Sequence, residues 1–174
     1  MNKETKKNIY LGVGIGVGLV VVVGTALIIR KRSGGDSKID LSKVDWSKFD
    51  SPDQPGSGKK CMDRTLVKML LKIEQKTKLP ILDSINSAAR SNYWNRKVGG
   101  VSGSAHKIPT CKAVDIGAAT KEIRDKIVKA AKEVGFKRIG IGSRFVHLDN
   151  DETKPQLVAW GYPAGKKPPY NPFA

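Results

Sequence analysis

The sequence predicts a small α+β domain carried behind one transmembrane helix. Three features predict it. Residues 9–29 form an apolar run without charge. Two later stretches repeat apolar residues at helical spacing, and several short stretches have the alternation of strands. The chain has 174 residues, enough for one domain of ordinary size with appendages.

Residues 1–8 are polar and include Lys3, Lys6 and Lys7. From Ile9 to Ile29 there are 21 residues without a charge, among them Leu19-Val20-Val21-Val22-Val23. A helix rises 1.5 Å per residue, so about 20 apolar residues cross a bilayer core. The run continues past a weak cleavage candidate, Gly24-Thr25-Ala26, to Arg30-Lys31-Arg32, which favours an uncleaved anchor in the lipid bilayer. Gly12, Gly14, Gly16 and Gly18 offer a small-residue face on which two such helices can pack as a homo-oligomer. Basic residues flank both ends, so charge does not set the orientation. Residues 30–60 read as a linker, opened by Ser33-Gly34-Gly35 and closed by Pro52-Asp53-Gln54-Pro55-Gly56.

Residues 61–162 read as the domain. Asp63 is a candidate N-cap for a helix with Leu66, Val67, Leu70, Leu71 and Ile73 on its apolar side, stopped by Pro80. Ile81 to Arg90 contains a strand leading into a loop. Ser91 to Thr110 is rich in Gly, Ser and Asn and reads as a long irregular segment. Lys112 to Ile116 is a short strand with Ala113 and Asp115 on one face. Thr120 caps a second helix, whose stripe is Ile123, Ile127, Val128, Ala131 and Val134, with Gly135 just beyond its end. Phe136–Ile141, Arg144–Asp149 and Leu157–Trp160 follow as strands, with Phe145, His147 and Asp149 sharing one face. The tail, residues 163–174, is proline-rich and extended.

Lysine and arginine number 32 against 16 acidic residues, a net charge of +16. This balance favours an anionic partner: a wall polymer, anionic lipid or nucleic acid. No aromatic-basic motif supports nucleic acid. Gly58-Lys59-Lys60 lacks the upstream glycine and the Ser/Thr of a phosphate-binding loop, and the alternating glycines lie inside the apolar helix, so nucleotide-binding motifs are excluded. Cys61 and Cys111 fit no cysteine-rich zinc motif; they read equally as a disulfide or as two thiols.

Both histidines fall in two short pieces, Ser104–Ile116 and Phe145–Asp149. Two imidazoles and a nearby carboxylate can supply three ligands to Zn²⁺ and leave a fourth position open, as metal-assisted hydrolysis requires. Taken alone, the same residues also suit ordinary hydrogen-bonded side chains.

Residues 87–160 carry a longer ordered pattern: Arg90-Ser91, Asn95, Val98-Gly99-Gly100, Ser104-Ala105-His106, Ala113-Val114-Asp115-Ile116, Gly135-Phe136, Ile139-Gly140, Phe145, His147-Leu148-Asp149 and Trp160. In that order and spacing it resembles the zinc D-Ala-D-Ala peptidases of the M15 family, most closely the small, often phage-encoded branch. The resemblance implies a small zinc peptidase domain with a short antiparallel sheet and two main helices, acting on peptidoglycan stem peptides. It implies Zn²⁺ held by His106, Asp115 and His147, with Arg90 on substrate carboxylate or carbonyl. Ser104 would touch substrate or hydrogen-bond near the ligand loop, and Trp160 would stand beside the site. A wall substrate further implies a domain outside the cytoplasm, on a bacterial or a virion membrane.

Two departures from the family pattern stand out. Asp115 follows His106 by nine positions, two more than the pattern, and the longer loop holds Cys111. Cys111 is therefore a rival ligand, a disulfide partner or a buried thiol. The family's usual acidic base, three residues before the last histidine, is replaced by Arg144. Asp149 is then the best remaining catalytic candidate, with orientation of a histidine as its alternative role; Asp151 and Glu152 are weaker.

Overall fold

A computed structural model describes residues 39–163 and 165–174. The expected membrane helix, residues 9–29, and its glycine face lie outside the described residues, as does the start of the expected linker. Among the described residues no helix is long and apolar enough to cross a membrane. Residues 39–174 form a compact unit.

The unit begins earlier than the expected boundary at Cys61. Trp46–Phe49 form one turn of 3-10 helix, capped by the Asp45 side chain, and Phe49 is wholly buried in the core. Asp50 accepts from the backbone N–H groups of Gly56 and Gly58, which start helix α1 (Ser57–Cys61). The segment resembles a linker because its order comes from carboxylate-to-backbone hydrogen bonds rather than from an apolar period.

Helix α2 (Arg64–Thr77) is capped by Asp63, whose side chain accepts from Leu66 N. Its Leu66, Val67, Leu70 and Ile73 are fully buried. Each such side chain contributes about 1.5–3 kcal/mol by leaving water. A short 3-10 turn precedes strand β1 (Ile85–Ser87). Helix α3 (Asn92–Lys97) lies inside the stretch expected to be irregular. Its cap is Ser91, and Asn95 is its buried residue, so it carries no apolar stripe to read. Strand β2 (Ala113–Gly117) leads to helix α4 (Lys121–Val134), capped by Thr120 and ended by Gly135 in the left-handed region. Strands β3 (Arg138–Ile141), β4 (Phe145–Asp149) and β5 (Val158–Gly161) follow.

Among the described residues these strands make one five-stranded sheet of order β1-β2-β4-β3-β5. It is mixed, not antiparallel as expected: β5 runs parallel to β3. After β4 the chain steps across the start of β3 and enters the far edge in the same direction, which a short connection allows. One face of the sheet presents Val114, Ile116, Ile139, Ile141, Val146 and Leu148, all buried in the same core as the apolar faces of α2 and α4. The other face builds the candidate site.

Candidate metal centre

Strand register sets out this second face in rows. Asp115 pairs with His147, His147 with Gly140, and Gly140 with Trp160. The neighbouring row runs Ala113, Asp149, Arg138 and Val158. Directly opposed residues share a face, so two functional groups on adjacent strands meet without any loop. Gly140 leaves room for the aromatic groups above the row: a Cβ there would lie 2.7 Å from Tyr162 and 2.9 Å from Trp160.

His106 arrives from the opposite side, on a loop. Two backbone hydrogen bonds hold that loop to Arg90: Arg90 N to His106 O at 2.9 Å and Ile108 N to Arg90 O at 3.0 Å. Cys111 is bonded to Cys61 in a disulfide with Cα atoms 5.6 Å apart, which settles its three readings and removes it from the metal ligands. The bridge fastens the enlarged loop to the end of α1.

His106, Asp115 and His147 bring their donor atoms together as a group able to hold a metal ion. Nε2 of His106 lies 3.2 Å from Nδ1 of His147 and 3.4 Å from Oδ1 of Asp115. Nδ1 of His147 lies 2.8 Å from the same oxygen. Ligands about 2.0–2.1 Å from a tetrahedral zinc stand about 3.3 Å apart; the two His106 separations match this, and the His147–Asp115 pair stands closer, at hydrogen-bond distance.

Each donor is oriented from behind. The Ala88 carbonyl, 2.7 Å from His106 Nδ1, can only accept; Nδ1 therefore carries the proton and Nε2 the lone pair. Asp149 Oδ2 lies 3.1 Å from His147 Nε2. Asp149 Oδ1 accepts from Arg138 Nε at 2.7 Å and from the Asp151 N–H. Arg90 donates to Asp115 Oδ2 at 2.5 Å and to Ser87 Oγ at 2.8 Å, which leaves Oδ1 of Asp115 facing the histidines. Such outer partners commonly fix ligand orientation.

Burial holds His106 neutral by lowering its pKa. Burial also disfavours charge on His147, but hydrogen bonds to Asp115 and Asp149 outweigh it and raise its pKa. For Asp115, burial pushes the carboxyl up, and hydrogen bonds to both histidines overcome this and hold it well below the usual carboxylate range. Asp149 is lowered in the same manner, against its own burial, chiefly by His147 and then Arg138.

The donors open into a cavity of about 500 Å³. All seven site residues expected from the sequence line it: Arg90, Ser104, His106, Asp115, His147, Asp149 and Trp160. Ser104 Oγ accepts from His106 N at 3.3 Å, and the Trp160 ring lies 5.3 Å from that of His147. Arg138 and Tyr162 line it too and were not singled out in the sequence. Tyr162 stands two residues after Trp160, in the turn just past the end of β5, and its ring lies 6.5 Å from that of Trp160; the i, i+2 spacing was the available signal. Burial pushes its phenol up to about 12, against an opposing hydrogen bond with Trp160. Arg144 does not approach the cavity; it is exposed and lines a separate cleft with Asn86 and Ile123. Asp151 and Glu152 are also absent from the lining.

A mixed sheet on which two histidines and an aspartate converge gives a pocketed group able to hold a metal ion, an arrangement suited to hydrolysis. The comparison with known families agrees: the family described as Peptidase M15 matches residues 47–149, more than half of the chain. The chain belongs to the M15 peptidase family. No curated protein matches it.

Proposed function

We propose that this chain is a zinc peptidase that hydrolyses peptide bonds in peptidoglycan stem peptides, tethered to a membrane by residues 9–29. The observation that carries the reading is the convergence of His106, Asp115 and His147 at ligand spacing, each braced by an outer partner. Zinc held there supplies a Lewis acid for the scissile carbonyl and lowers the pKa of water. The chain's own residues do the rest. Asp149, with both oxygens engaged, orients His147 and keeps its Nδ1 toward the metal position. Arg90 holds Asp115 and presents the remainder of its guanidinium to substrate carboxylate or carbonyl. Trp160 and Tyr162 wall the cavity and exclude water. Three cations, Arg90, Arg138 and Lys154, line it against two carboxylates, which suits an anionic wall peptide. The domain then works outside the cytoplasm, on a bacterial or virion membrane.

A second reading has its own support. With Asp149 occupied and Arg144 elsewhere, no further carboxylate lines the cavity among the described residues. A peptidoglycan-binding module that keeps the metal without cutting fits that fact. Incubation of the zinc-loaded chain with purified peptidoglycan separates the two. Release of amino acids or peptides, abolished by His106→Ala, is the expected result. Stoichiometric zinc without turnover favours the binding module.

A further inference from the structure

Three of the four large hydrophobic side chains exposed among the described residues lie between positions 93 and 101: Tyr93, Val98 and Val101, the last 64% exposed. Val98 and Val101, with the two glycines between them, line the mouth of the cavity. An exposed apolar pair is ordinary on a mobile tip. Here the backbone beneath it is held. Asn95 is 2% exposed, and its Nδ2 donates to the carbonyls of Gly100 at 3.1 Å and Val101 at 3.0 Å. Its own carbonyl accepts from Gly100 N at 2.8 Å. A Cβ on Gly100 would stand 2.2 Å from Asn95 Oδ1, so only glycine closes this joint. Gly99 adopts φ +70°, a left-handed conformation that suits glycine.

The fold thus fixes two valines where about half or more of their surface stays in water. Apolar surface held at the edge of a site loses water only when a ligand covers it. The cavity's aromatic groups, Phe145, Trp160 and Tyr162, also line it, so a chain threading to the metal donors passes between apolar surfaces.

We infer that Val98 and Val101 form a binding lip for an apolar side chain of the substrate peptide next to the bond addressed by the site. Asn95 is the positioning residue that sets this lip, through its amide rather than through its volume. The inference deepens the peptidase reading and rests on it. Aspartate at position 95 would place an acceptor against two carbonyls and release the lip.

The test uses the full-length chain in detergent, loaded with zinc, and a soluble disaccharide-pentapeptide from peptidoglycan as probe. Val98→Ser and Val101→Ser change exposed side chains and keep the melting temperature and the zinc content. Each is expected to weaken peptide binding by about three- to tenfold, from the apolar area withdrawn. With a cleaved peptide the loss falls on KM and leaves kcat in place. Asn95→Asp is expected to weaken binding at least as much with zinc retained. Wild-type binding by both valine variants overturns the lip, even where Asn95→Asp fails to fold. Absence of zinc from the wild-type chain overturns the metal reading instead, and the valine comparison still reads out through binding.

Discussion

The two sides of the candidate metal centre are built by different means. Asp115 and His147 come from neighbouring strands whose register places them opposite each other. His106 comes from a loop that has no strand to lock it, and is held by backbone bonds to Arg90, the Ala88 carbonyl and the Cys61–Cys111 bridge. The sheet side is a by-product of strand pairing, which the whole core supports. The loop side needs its own fasteners. A ligand set split in this way keeps two donors under most perturbations and has one donor that local changes can move.

The sharpest break of this contrast is removal of the fastener. The disulfide closes a separation of 50 residues, which in the chain-entropy account is worth about 4 kcal/mol. Cys61→Ser/Cys111→Ser is expected to lower stability by that order in denaturant titration and to weaken zinc binding although no ligand changes. Unchanged zinc affinity would show that the loop side needs no bridge. Deleting a ligand comes next. His106→Ala and Asp115→Ala are each expected to reduce zinc affinity by about a thousandfold, one third of a binding free energy on the scale of ~10–16 kcal/mol. Equilibrium dialysis against a competing chelator measures it.

Asp149→Asn probes the brace behind the sheet side. Loss of outer partners costs about 10–100-fold in metal affinity. A retained affinity with lost turnover would instead mark Asp149 as the base.

The smallest effect is that of pH. His147 has a raised pKa from its ordinary 6.5, so its contribution to the stability of the metal-free chain is fully present below 6.5 and lost as pH rises through the folded value. Zinc affinity moves the other way, climbing with pH as Nδ1 sheds its proton. His106, with a lowered pKa, opposes the first trend by resisting charge below 6.5. The difference in melting temperature between wild type and His147→Gln, followed from about pH 6 to pH 9, isolates the His147 contribution. A difference that grows with rising pH contradicts the sign.

The sequence made legible what is local or ordered along the chain. Asp63, Thr120 and Gly135 cap their helices as read, because capping depends on a few adjacent residues. The residues that share the cavity stood out by their order along the chain, and the strand alternation placed His147 and Asp149 on one face. Helix α3 was not legible, since its buried member is a polar residue, Asn95. The parallel placement of β5 depends on which edge the chain returns to, and no residue in Val158–Gly161 encodes that. Phe49 was visible as one of the apolar residues scattered through the expected linker, but its place in the core was not, because the order around it comes from carboxylate-to-backbone hydrogen bonds. The closed network around Asp149 needed Arg138, eleven residues earlier on another strand.

The Cys61–Cys111 bridge also bears on timing. In a cytoplasm that keeps thiols reduced, a newly made chain lacks the fastener on its His106 loop. On the exported reading, oxidation comes only after the domain has left the compartment of its synthesis. On that same reading the His106 side of the candidate site is fastened only after export, and the site is completed outside the compartment of its synthesis.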